Sequence, residues 1–534
     1  MIACPNCGGN VHFDIASQQL ACEYCQNHFD PYAFDTKTSD GIESQDFEVT
    51  VFSCPQCGGE ILSTDNAAAG FCSFCGASTI LYTRIQNEHR PNYIIPFKKT
   101  KEDCKQAYAD LMKRAIFAPK ELKDTKKIDS FRGIYMPYWA YYITQNSFLN
   151  IKGKKSYRSG DYIITDHYDL TGELDAYYKG ISYDASSSFS DNISENLAPY
   201  DVKGMKKFTP AYFSGFYADT ADVSSAIYEP VAKELANAQT TTQIDNFAPF
   251  KEYSKTYNQN GVAYNTTTNE IDYTMFPVWF MSYRNGDRVA YATVNGQTGK
   301  VVADVPVDPW KYLLGSLVLA LPLFILLNIF LTLTPAATLF LTAILAVLTG
   351  ITYTIEISKV VRKENDEDDI GKASKKDIAT QNQTVGQKMQ TTRQKASVQL
   401  LVSPMVFVIA FFVFALFIAF SGSSAIMADG FHMGWLFVIA AAAITLVIGF
   451  IKTCKVPLKR KGFGGLISIL AAIVVSSFVA LLGNILIYDW FFYGAAIFAA
   501  FCIFYTIKDI IVAYNVLSTR RLPQFNKEGG NNRA

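Results

Sequence analysis

The chain has 534 residues, zero formal net charge, 49% hydrophobic residues and 11 cysteines. Its first 90 residues set 11 acidic side chains against Lys37, Arg84 and Arg90, the wrong sign for gripping a phosphate backbone. Beyond about residue 310 come apolar runs of membrane-crossing length, which exclude a wholly soluble protein.

Eight of the cysteines form four Cys-x-x-Cys pairs in the first 75 residues, and the set repeats at an offset of 50. Cys4-Pro5-Asn6-Cys7-Gly8-Gly9 is echoed by Cys54-Pro55-Gln56-Cys57-Gly58-Gly59. Cys22-Glu23-Tyr24-Cys25 is echoed by Cys72-Ser73-Phe74-Cys75. Two such pairs per unit, with 14 residues between them, have the spacing of a zinc ribbon. The ligand sets are Cys4, Cys7, Cys22, Cys25 and Cys54, Cys57, Cys72, Cys75, each holding one structural Zn2+. Four thiolates leave no open position, so these are not catalytic zincs. Disulfides would need an oxidising compartment, and a redox pair would need only one Cys-x-x-Cys. Gly8, Gly58 and Gly76 supply the positive φ that each knuckle turn asks for; Gln26 does not, so the second knuckle of the first ribbon is expected to be the least regular. His12 and His28 are not needed as ligands. Cys104, Cys454 and Cys502 read as buried small apolar residues.

The ribbons span 1–30 and 51–83, with an acidic linker at 31–50. Residues 91–305 read as one β-rich α+β domain. Thr100-Lys101-Glu102-Asp103 is a capping-box start, followed by an apolar face at Cys104, Ala107, Tyr108, Leu111, Met112 and Ala115, and Pro119 ends that helix. Strands are expected at 133–139, around Tyr162–Ile164 and around Ala176–Tyr178. A second helix over Asp222–Ala238 is broken or kinked at Pro230. Tyr135-Met136-Pro137-Tyr138-Trp139 and Met275-Phe276-Pro277-Val278-Trp279 share a helix-then-strand context 140 residues apart, the pattern an internal duplication would leave. Arg284-Asn285-Gly286-Asp287 and Asn295-Gly296-Gln297-Thr298-Gly299 are hairpin turns, and the strand between them pairs on both sides.

Six spans follow: Tyr312 to Leu333, Ala336 to Ile357, Leu400–Phe420, Trp435–Ile451, Phe463–Ile487 and Trp490–Ile507. Thr334-Pro335 makes the first two a tight hairpin over 311–357. A charged loop fills 358–399, four further spans lie within 400–515, and a tail covers 516–534. Lys and Arg crowd the loops at 358–399 and 452–461 and the tail, while Ser421–Gly434 and Tyr488-Asp489 have none, which places both termini and the ribbons in the cytoplasm of a bacterial inner membrane. No signal peptide precedes the first knuckle. The spans carry almost no ionisable residue in mid-membrane, which weighs against a transporter or channel. No phosphate-binding loop, nucleophile elbow, His-Glu-x-x-His or kinase signature occurs, so the chain reads as non-enzymatic.

Two Cys-Pro-x-Cys-Gly-Gly ribbons, Ile95-Pro96-Phe97, Phe117-Ala118-Pro119, Gly133–Trp139 and Val294-Asn295-Gly296-Gln297-Thr298-Gly299-Lys300-Val301 together resemble a family of bacterial zinc-ribbon proteins, often loosely labelled primosomal or replication-helicase-like. The resemblance covers about residues 1–305. It implies association with PspA-type and SPFH (flotillin-like) membrane-stress proteins, and an anchoring or scaffolding role. The missing phosphate loop gives the helicase label no support. The expectation is therefore two cytoplasmic Cys4 zinc ribbons, a β-rich α+β domain and a six-helix membrane region acting as an anchor or adaptor. A transporter or lipid-handling protein and a nucleic-acid-binding protein are the rival readings.

Overall fold

The computed structural model describes residues 2–34, 46–63, 72–77, 82–124, 128–256, 264–330, 334–365, 424–454, 464–482 and 488–523. The first ribbon forms its own antiparallel sheet of β1 (Val11–Asp14), β2 (Gln19–Cys22) and β3 (His28–Phe29). The second ribbon does not stand apart. Its strands β4 (Asp46–Ser53) and β5 (Glu60–Ser63), with β6 (Tyr82–His89), belong to a thirteen-stranded sheet that runs through the whole domain.

β7 (Tyr93–Ile94) leads to α1 (Lys101–Arg114), whose capping box forms as expected: Thr100 Oγ1 accepts from Asp103 N and the Asp103 carboxylate accepts from Thr100 N. Cys104, Tyr108 and Met112 are buried on one face of that helix. β8 (Arg132–Ser159) and β9 (Tyr162–Asp184) make one hairpin, paired along nearly its full length. The two short strands expected near Tyr162 and Ala176 are thus parts of a single strand, because the ladder to β8 continues through the polar residues between them. α2 (Asp191–Leu197), β10 (Lys206–Lys207) and β11 (Tyr217–Ala218) follow, then α3 (Ser225–Asn246). α3 carries Pro230 inside it and outruns its expected end at Ala238. Its Thr/Gln-rich last turns are held by packing: Thr240 bonds Gln145 and Tyr178, and Ile244 is buried.

After β12 (Ser254–Thr256) come β13 (Thr266–Asn285), β14 (Arg288–Asn295) and β15 (Val301–Ala303). β14 pairs with β13 and β15, as the two turns require, and Gly286 and Gly299 adopt φ of 61° and 81°. β8 and β13 pair antiparallel so that Met136 faces Phe276, and the two Pro-x-Trp segments lie side by side in a register symmetric about that pair. Each proline keeps its carbonyl in use: Ala185 N donates to Pro137 O, and Gly296 N to Pro277 O.

Both faces of this central sheet are buried. Tyr135, Met275, Trp279, Met281 and Val294 point to one side, where they join α1 and the first ribbon's Val11, Phe13 and Leu20. Ile134, Met136, Phe276, Val278, Phe280 and Tyr291 point to the other, where α2 and the second ribbon's knuckles pack. The first ribbon therefore sits on one face of the sheet, while the second contributes strands to the sheet and sets its knuckles on the other face.

The apolar half contains α4 (Pro309–Phe330), α5 (Pro335–Asn365), α6 (Ser424–Cys454), α7 (Gly464–Leu481) and α8 (Trp490–Leu517). Among the described residues, four stretches are long and apolar enough to cross a membrane: Pro335–Val360, Phe437–Cys454, Gly464–Leu481 and Trp490–Leu517. That is four candidates where the sequence suggests six. The first expected span coincides with α4, outside that group of four, and the third, Leu400–Phe420, falls outside the described residues. Small residues bring the helices together: Ala346, Ala472 and Ala499 form one buried cluster, and Gly350 and Gly465 face Ile469 and Tyr353.

α8 does not end where its apolar run ends at Ile507. Its 28 residues measure about 42 Å, more than a hydrocarbon core of about 30 Å, so it continues through Lys508 and Asp509 towards the sheet. There Arg288 of β14 caps it, donating to Val516 O, Thr519 O and Thr519 Oγ1. Asn515 exchanges two hydrogen bonds with the backbone of Val307. β16 (Arg520–Arg521) then adds to β14.

Candidate metal centres

The eight predicted ligands come together as two groups of four, with the sulfurs of each group all within 4.8 Å of one another. Cys4 Sγ lies 3.5 Å from Cys25 Sγ, and Cys7 Sγ 3.5 Å from Cys22 Sγ. In the second group Cys54–Cys75 is 3.8 Å and Cys57–Cys72 is 3.7 Å. Four sulfurs arranged tetrahedrally at the usual zinc–thiolate distance of about 2.3 Å would be about 3.8 Å apart. Both groups therefore have the size and the donor chemistry to hold one such ion each. No disulfide joins these cysteines.

All four knuckles share one backbone design. The amide four residues after the first cysteine donates back to that cysteine's carbonyl: Gly8 N to Cys4 O, Gln26 N to Cys22 O, Gly58 N to Cys54 O and Gly76 N to Cys72 O, at 2.8–3.0 Å. Each first cysteine in turn donates its amide to the carbonyl five residues on, of Gly9, Asn27, Gly59 and Ala77. The residue that closes the turn has φ of 75° at Gly8, 72° at Gly58, 68° at Gly76 and 58° at Gln26. The expected irregularity at Gln26 is absent. The same two backbone hydrogen bonds close this turn as the other three, and Gln26 takes the left-handed conformation at a cost of about 1–2 kcal/mol.

Where the two centres differ is in their surroundings. In the first, Cys7 is exposed, Cys25 is partly so, and Tyr24 at the knuckle tip is 76% exposed. This ribbon docks through the opposite end: Phe13 packs edge-on against Tyr212, Gln18 Nε2 donates to Phe97 O at 2.7 Å, and Ser214 donates to Val11 O. In the second, all four cysteines are buried, and Phe74, the residue equivalent to Tyr24, is 0% exposed. Phe74 meets Phe280 at 6.1 Å, and its carbonyl accepts from Tyr291 OH at 2.8 Å. Burial pushes the Tyr291 phenol well above its ordinary range, so it stays a donor. Arg284 donates to Gln56 Oε1 at 2.9 Å, and Leu522 of the C-terminal segment packs on the same cluster.

Contact between the sulfurs divides them electrostatically. The Cys54 contact pushes the Cys57 thiol up, and the Cys57 contact pulls Cys54 down. Four adjacent thiols cannot all ionise unless a cation compensates them, which is the environment a metal ion would supply.

Neither histidine joins a group. His12 sits 3.7 Å from Glu23 and against Gly215, and His28 faces Ser17. Cys104 and Cys502 are buried as expected, while Cys454 is exposed at the end of α6, against expectation. Tyr291, Arg284 and Leu522, which enclose the second centre, have no ligand-type signature. Their trace in the sequence is indirect: apolar Phe74 and Ala77 stand where the first ribbon has Tyr24 and Asn27.

The chain is similar to a protein of Bacillus subtilis (strain 168) described as uncharacterized protein YdjG, 28% identical over 314 residues that cover 58% of this chain and 90% of that protein. No family model matches the chain, and no solved structure matches it.

Proposed function

We propose that this is a non-enzymatic membrane anchor or adaptor whose two Cys4 centres hold structural zinc. The observation that carries the structural-metal part of this reading is the completeness of both ligand sets: four sulfurs at tetrahedral spacing leave no coordination position for a substrate. Zinc is favoured over other metals because a closed set of four thiolates is its usual structural environment. The metal's role is to make short, loop-rich segments fold, since ribbons of this length cannot obtain a sufficient core of their own.

The membrane half is proposed to cross an inner membrane six times, the four candidate helices being joined by α4 and by Leu400–Phe420, with both termini in the cytoplasm. Charge distribution supports that orientation, with the Lys- and Arg-rich loops on the side of the ribbons. The proposed partners are peripheral proteins of the PspA or SPFH type, a proposal that rests on the family resemblance. The acidic first 90 residues favour protein over nucleic acid.

The test is an affinity pull-down of the tagged full chain from mild-detergent membranes, with zinc quantified in the same sample. Two zincs per chain and stoichiometric recovery of PspA- or SPFH-type proteins are expected. Two zincs with no protein partner would shift the reading to transport or lipid handling. Absence of zinc would overturn the metal assignment.

A further inference from the structure

The loop between α1 and Lys120 is placed where the chain enters the apolar half. Asp308 N, at the start of α4, donates to Phe117 O at 2.8 Å. Lys311 Nζ donates to Ala118 O at 2.7 Å, and the Phe117 ring stacks edge-on against Tyr312 with centroids 5.2 Å apart. Phe117 also reaches Gly315, where a Cβ would stand 2.7 Å from Cε1. Gly315 is six residues along α4 from Pro309, about 9 Å at the helical rise. By then α4 has passed Trp310 and Tyr312, the residues that suit an interfacial belt, and presents exposed Leu314, Leu317 and Val318.

Beside Phe117, Ile116 is 64% exposed, although it is the fully apolar residue at the loop's tip. Exposed basic side chains flank it in sequence on both sides, Lys113 and Arg114 before it and Lys120 and Lys123 after it, against Asp110, which bridges Lys113, and Glu121 and Asp124. An apolar tip inside a basic collar, continuous with the first turns of a hydrophobic helix, has the chemistry of an acidic bilayer surface.

We propose that Ala115–Pro119 is a wedge that enters the membrane interface, with Ile116 among the upper acyl chains and Lys113, Arg114, Lys120 and Lys123 on anionic phospholipid headgroups. The sheet domain would then touch the bilayer surface directly, in addition to its links through α4 and through α8 to β16. This rests on the reading of α4 as a membrane span, and the test separates the two.

A photoreactive benzophenone amino acid is placed in the full chain at Ile116, at Leu317 as the span control and at Tyr24 as the solvent control. The protein is reconstituted in vesicles of phosphatidylcholine, with or without phosphatidylglycerol, and lipid adducts are counted by mass spectrometry. Adducts at Ile116 several-fold above Tyr24 are expected, rising with phosphatidylglycerol and falling several-fold when K113Q, R114Q, K120Q and K123Q are combined. Ile116 at the Tyr24 level with Leu317 labelled would overturn the wedge and leave the span standing. An unlabelled Leu317 would overturn the span, and the wedge with it. Crosslinks from Ile116 to a second copy of the chain would overturn the wedge, and equal yields in the two vesicle types would overturn the headgroup contact.

Discussion

The two ribbons share their ligand spacing and their knuckle hydrogen bonds, yet they stand in opposite relations to the rest of the molecule. The first lies on one face of the sheet by its hairpin end, with Cys4 and Cys22 buried but Cys7 and Cys25 towards solvent; the second buries all four of its cysteines against the other face. A metal site in the first is held mainly by its own local turns. In the second, Phe52, Ile61 and Phe74 surround the cysteines, so ligand loss there opens part of the domain core. Identical ligand chemistry can therefore carry different structural weight, and the difference lies in the residues between the ligands.

That contrast can be broken most severely at Cys57. Cys57→Ser should remove one metal per chain and destabilise the sheet domain by more than about 4 kcal/mol, since metal loss and a disrupted core coincide. The reading to take is zinc content alongside protease cleavage within residues 91–305, with the membrane helices left intact. Unchanged zinc or an unchanged cleavage pattern would show the second centre to be dispensable. The equivalent change in the first ribbon, Cys7→Ser, should also remove one metal but confine new protease sites to residues before about 34. Spread of cleavage into the sheet would erase the distinction.

The two centres should also differ in exchange. A chelator added to the intact protein should extract metal in two phases, the faster matching the ribbon with exposed Cys7, the slower limited by opening of the domain. A single phase that covers both ions would contradict the difference in burial. The smallest effect is expected from Gln26→Gly, which should slow release from the first ribbon and stabilise it by about 1 kcal/mol, by removing the left-handed strain. The second ribbon, with Gly76 already in place, has no such gain to make, and its exchange rate should not change.

The metal groups were legible in the sequence because ligand spacing is local: Cys-x-x-Cys with a following glycine states its own turn. The capping box at Thr100 and the hairpins at Gly286 and Gly299 were legible for the same reason. What escaped was set at long range. The polar middle of β9 is a strand only because β8 lies beside it, and α3 persists past Ala238 because Thr240 and Ile244 find partners. The end of α8 was misplaced because hydropathy marks where lipid contact stops, whereas the helix goes on to contacts with Arg288 and Val307. Gln26 shows the reverse: its own preference predicts an irregular knuckle, yet it closes the turn with the same hydrogen bonds as the three glycines. The count of spans differs because α4 is not among the four stretches found in the described residues, while Leu400–Phe420 falls outside those residues.

Leu522 packs against a cluster built from Phe52, Cys54, Cys57, Ile61 and Phe74, near the opposite end of the chain. During synthesis, the first half of that contact leaves the ribosome long before the second. At about 5–20 residues per second the delay is on the order of 20–90 s, and every apolar helix must be placed in the meantime. Until the last helix is in and its end has met β14, the sheet keeps an uncovered edge and the second ribbon an uncovered flank. Completion of the sheet domain thus waits on the placement of α8. A chain stalled or mis-inserted in its last helix would present that bare flank to the cell's quality-control proteases.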